Sequence, residues 1–72
     1  MAEGQYVVQR QDLARGWVCF TAGDPSPPPE RVAEFLNIDF MRWLRKNSTF
    51  KVRATLPIVA GGNTVAIHVW FD

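Results

Sequence analysis

The run PPPERVAEFLNIDFMRWLRKN, residues Pro27–Asn47, decides the fold, because no other stretch is long and periodic enough to make a helix. A proline in a first turn gives up no N–H that a helix needs, so the three prolines after Ser26 suit a helix start. Glu30 falls in the first turn, and Arg42, Arg45 and Lys46 fall in the last ones, as the helix dipole favours. Asn47 stands where a C-terminal cap belongs. At about 100° per residue, Val32, Ala33, Leu36, Phe40, Trp43 and Leu44 share one broad face, with Phe35 at its edge. Ile38 and Met41 fall on the far side, and Asp39 falls inside the apolar arc. These positions leave two readings open: one continuous helix, or a helix broken near Asn37 with Asp39 capping a second turn.

Working outward, the remaining apolar runs are short and bounded by turn residues. Residues 1–4 read as a frayed end. Gln5–Arg10 (QYVVQR) and Trp17–Ala22 (WVCFTA) have strand chemistry. Gln11–Gly16 between them reads as a loop, or as one helical turn that sets Leu13 and Trp17 four residues apart. Gly23–Pro29 (GDPSPPP) is a stiff crossover into the helix. Past the helix, Thr49–Val59 alternates Phe50, Val52, Ala54, Leu56 and Ile58 with Lys51, Arg53, Thr55 and Pro57, the pattern of a strand buried on one face. Pro57 cannot donate to a ladder, which places this strand at an edge or at a bulge. Ala60–Thr64 is a hairpin turn, and Thr64–Phe71 (TVAIHVWF) is a last strand apolar on both faces. A two-residue turn at Gly61-Gly62 pairs residues whose numbers add to 123, and one at Gly62-Asn63 gives 125. Either way the even apolar set of one strand shares a face with Val65, Ile67, Val69 and Phe71 of the other.

The order ββαββ therefore makes a single α+β domain over residues 1–72, with one helix on a four-stranded sheet. The strand order 2-1-4-3, with the first and last strands parallel at the centre, satisfies the demands of both the last strand and Pro57. That arrangement resembles the β-grasp topology of ubiquitin-like folds, in element order alone. The expected core is Val32, Leu36, Phe40, Trp43 and Leu44 against Val52, Leu56, Val65, Ile67, Val69 and Phe71.

Composition narrows the function classes. The chain is 47% hydrophobic with three tryptophans, which argues for a folded core. Its net charge of +1 is far from the strongly basic balance of a typical nucleic-acid domain. The charge is uneven, because no acid lies between Phe40 and Phe71. Cys19 is the only cysteine, so no internal disulfide forms, which suits a reducing cytoplasm. No signal peptide and no apolar run of membrane-spanning length is read. One His and one Cys with scattered acids give no metal-ligand set, and no glycine loop cradles phosphate. Nucleophilic catalysis would have to use Cys19 with His68 as its base. A lone Cys beside Trp and Phe reads as a small core residue, so the chain is expected to be neither an enzyme nor a cofactor binder.

Two surfaces remain. One helix covers one sheet face, and the other face is expected to carry Lys51, Arg53, Thr55, His68 and Trp70, with Trp17 and Cys19. In the 123 register Arg53 stands opposite Trp70 as a cation–π pair. Trp17, Arg53, His68 and Trp70 are thus the candidate contact residues for a protein partner or for a second copy. The rival surface is the basic set Arg42, Arg45, Lys46, Lys51 and Arg53, which suits nucleic acid. VAEFLNIDFMRWLRKN also resembles the helix-turn-helix of small excisionase-like proteins. That resemblance implies a first helix and turn through Val32, Ala33, Leu36 and Ile38, and a recognition helix over Phe40–Lys46. The following hairpin would be a wing tipped by Gly61-Gly62, a winged arrangement that would account for Ile38, Asp39 and Met41.

Overall fold

Neither glycine nor proline interrupts VAEFLNIDFMRWLRK, and Val32–Lys46 forms one unbroken helix, α1. The structure, a computed structural model, describes residues 6–72; the expectations for residues 1–4 and for Gln5 lie outside these. A 3-10 turn, Pro29–Arg31, leads into α1, with its proline in the first turn. The Arg31 guanidinium pairs with Glu34 one turn on, at 3.2 Å. At the other end the Asn47 side-chain amide donates to the Trp43 carbonyl at 2.8 Å, closing the helix as a cap. The break near Asn37 is therefore absent, and with it the turn that a helix-turn-helix requires. Ile38 and Met41 simply face outward, while Asp39 sits half-buried at the flank.

Four strands complete the fold: β1 (Val8–Ala14), β2 (Trp17–Ala22), β3 (Val52–Ala60) and β4 (Asn63–Phe71). They form one antiparallel sheet in the order β1-β2-β4-β3, with α1 packed on one side. β4 is central and β3 is an edge, but β4 has β2 as its other neighbour, not β1. This corrects the 2-1-4-3 order and its central parallel pair. The physical reason lies in composition: β2 is buried or half-buried along its whole length, while β1 (VQRQDLA) is polar and suits the other edge. β1 also runs through Gln11–Ala14, so the β1–β2 hairpin closes over Arg15-Gly16, with neither the long loop nor the helical turn.

The β3–β4 register departs from the simple hairpin. Next to the Gly61-Gly62 turn, Ala60 pairs with Asn63 and Val59 with Thr64. Then Ile58 pairs with Ala66, so Val65 is an extra residue in β4. Leu56 now faces His68 and Ala54 faces Trp70, until a second irregularity at Arg53 restores the pairing of Val52 with Phe71. Because the side-chain period is two, a one-residue slip moves the central apolar set of β3 to the opposite face.

The core forms where α1 meets β2 and β4. Phe20, Leu36, Val18 and Val69 are fully buried, with Val32 and Trp43 beside them. Burying each large apolar side chain is worth roughly 1.5–3 kcal/mol. Trp43 is the aromatic hub, its ring centroid 4.9 Å from Phe71 and 5.9 Å from Phe20, both edge-on. Phe40, Leu44, Ile67 and Phe71 pack around this cluster. The expected core residues Val52 and Leu56 are exposed instead, since α1 does not reach β3, and Val65 is exposed as the extra residue of β4. Val18 and Phe20 of β2 take their place.

Two stability outcomes follow. Leu36→Ala should cost about 2–5 kcal/mol in urea unfolding, while Leu56→Ala should cost under about 1 kcal/mol in the isolated chain. Equal losses would contradict this core. Gly16 has φ +77°, and a Cβ there would stand 2.6 Å from the Phe71 carbonyl oxygen. Gly16→Ala should therefore lower stability by about 1–3 kcal/mol, and a neutral result would contradict this turn.

Candidate functional site

Cross-strand partners share a face, so the register fixes what the side away from α1 displays. Three rows cross the sheet from β1 to β3. Ala14, Trp17, Trp70 and Ala54 form the first, Gln11, Cys19, His68 and Leu56 the second, and Gln9, Thr21, Ala66 and Ile58 the third. None of these positions is Asp, Glu, Lys or Arg. Leu56 is 49% exposed and Ile58 37%. Cys19 and Ala66 are buried between larger neighbours, and Trp17, His68 and Trp70 are half-buried.

The aromatic cluster is ordered by one hydrogen bond and two stacks. The Trp17 indole N–H donates to His68 Nδ1 at 2.9 Å. The Trp17 and Trp70 rings stack with centroids 5.7 Å apart, and His68 stacks on Trp70 at 5.9 Å. Accepting at Nδ1 places the proton of neutral His68 on Nε2, which lies 3.7 Å from Cys19 Sγ. Nε2 thus presents an N–H to the sulfur, where a general base would present a lone pair. Burial pushes the Cys19 thiol up from its ordinary range, so it holds its proton at neutral pH. The pair has the closeness of a nucleophile and base without their protonation states. A ligand imidazole would also need the Nδ1 proton that the Trp17 N–H opposes.

Of the four expected contact residues, Trp17, His68 and Trp70 come together and Arg53 does not. Its Nη1 donates to Asp72 Oδ2 at 2.8 Å, so the cation–π pair with Trp70 does not form. Thr55 pairs with Val69 and lies on the helix side. Lys51 precedes β3, where its backbone exchanges hydrogen bonds with Asp72. Leu56, Ile58 and Ala54 join the face instead. Their arrival depends on the bulge at Val65, for which VAIHVWF carries no glycine or other signal.

The rival cations lie elsewhere. Arg42, Arg45 and Lys46 are exposed along the C-terminal half of α1. Arg42 and Lys46 border a cleft with Arg10 of β1 and with Asp39. Among the described residues no group of three or more His, Cys, Asp or Glu could hold a metal ion, and no helix is long and apolar enough to cross a membrane. No family model, no curated protein and no solved structure matches the chain.

The raised thiol gives a direct chemical outcome. Iodoacetamide should label Cys19 of the folded chain only at pH above the range of a free thiol, and urea should return labelling to that range. Labelling of the folded chain at neutral pH as fast as a free thiol would contradict the buried, protonated Cys19.

Proposed function

We propose that the chain is a non-catalytic interaction module that contacts another protein through the uncovered sheet face. The observation that carries this reading is the absence of charge across three rows of that face, in a chain with eight basic and seven acidic residues. A surface kept for solubility alone would be studded with charge. This one offers a stacked Trp–His–Trp cluster flanked by exposed Leu56 and Ile58, with Gln9 and Gln11 at its margin. Aromatic and aliphatic anchors inside a polar rim are the make-up of an interface centre.

Nucleic-acid binding draws less support. Its two geometries were a recognition helix after a turn, and a sheet face joining Trp70 to cations. α1 has no such turn, and the exposed Arg42, Arg45 and Lys46 of α1 lie on the opposite side of the sheet from Trp17 and Trp70. Single-strand binding needs stacking rings and phosphate-holding charges along one groove.

If the face serves contact rather than folding, charging it should leave the isolated chain intact. Leu56→Lys combined with Ile58→Lys should keep the unfolding free energy within about 1 kcal/mol of the parent at low protein concentration. A loss above about 2 kcal/mol would mean that the chain needs these side chains for its own packing, and the contact reading would fall.

A further inference from the structure

Building on that contact surface, we propose that its occupant is a second copy of the chain. The two copies pack sheet to sheet about a twofold axis that lies between the sheets and runs across the strands. Three observations support it. A twofold interface is self-complementary: a charge on the axis meets its own copy, and a charge off the axis needs its opposite on the same face. The uncovered face has none at its paired positions.

The second observation is the grading of side-chain size along the strands. The first row carries Trp17 and Trp70 at its centre, and the third carries Thr21 and Ala66. A twofold axis across the strands lays the first row of one copy over the third row of the other, so bulky rings meet small side chains. It also lays β3 over β3, with Leu56 of the middle row against Leu56 of the copy. An axis along the strands would set β3 over β1, placing Leu56 and Ile58 on Gln11 and Gln9. The crossing axis instead sets Leu56 on Leu56, Ile58 on Ala54 and Gln11 on Gln11.

The third is size. β1 and β2 are seven and six residues long and β3 and β4 nine each, so at about 3.3 Å per residue the face extends about 20 Å at β2 and about 30 Å at β3 and β4. Four strands about 4.8 Å apart make it nearly 20 Å across. The flat footprint is about 500 Å² per copy, and side-chain relief raises it toward the ~800 Å² per partner of a standard interface. Sheet-on-sheet packing also leaves α1 and its basic residues facing solvent on both outer sides.

Because Leu56 meets itself, charge of either sign should break the dimer and opposite charges should restore it. Sedimentation velocity of the full chain from micromolar to millimolar concentration should show a wild-type dimer, while Leu56→Lys and Leu56→Glu each sediment as monomers. Their equimolar mixture should form a heterodimer at least tenfold tighter than either variant with itself. A mixture no tighter than its components would overturn the proposal. A strictly monomeric wild type would overturn it too. If the chain carrying both Leu56→Lys and Ile58→Lys is folded, that result leaves the contact surface to a different protein; if it is unfolded, the contact reading has failed with it.

Discussion

A single helix of 15 residues is about 22 Å long and about 10 Å wide, so it can roof two strands of a four-stranded sheet and no more. The rest of the structure depends on which two. α1 lies over β2 and β4, with Leu36 and Trp43 seated against Phe20, Val69 and Phe71. β2 and β4 are also the strands with apolar side chains on both faces, so whatever the helix does not cover is apolar too. β1 meets its lack of cover with polar residues. β3 does not: it is exposed along its whole length, yet it carries Val52, Leu56, Ile58 and Val59.

The extra residue at Val65 decides where those side chains go. Without it, Leu56 and Ile58 would share the helix side with Ile67 and Val69, and Arg53 and Thr55 would stand among the aromatic rings. With it, the uncovered face loses its charge and gains aliphatic bulk. Arg53, left unpaired by the second irregularity, turns to Asp72 instead. One bulge therefore converts a mixed basic and aromatic surface into a neutral one. This is why the same residues argue for a protein contact more than for a nucleic-acid one. Pro57 keeps the outer edge of β3 from offering a full row of donors, which directs association to the face and away from the strand edge.

Much of this was legible in the sequence. The periodicity of Val32, Leu36, Phe40, Trp43 and Leu44 gives the helix and its buried side, Asn47 gives its end, and Pro57 gives the edge strand. The misfits at Ile38, Asp39 and Met41 suggested a break because a helix pattern contains no term for an outer surface that keeps apolar residues. The strand order is not legible, because QYVVQR and WVCFTA look alike in propensity; what separates them is burial on the second face, a tertiary property. In the site, Trp17, His68 and Trp70 were readable as a set, since alternation within β4 holds on either side of the bulge. The exchange of Arg53 and Thr55 for Leu56 and Ile58 was not readable, because a bulge at a valine has no local signature.

The claim beneath all of this is the pairing of β3 with β4 beyond Val65, and cross-strand nuclear Overhauser effects measure it directly. The account predicts backbone contacts linking Leu56 to His68 and Ala54 to Trp70, with Val65 lacking a partner across the ladder. Contacts linking Leu56 to Ile67 and Arg53 to Trp70 would contradict it. They would return Arg53 to the paired positions of the uncovered face and remove their neutrality.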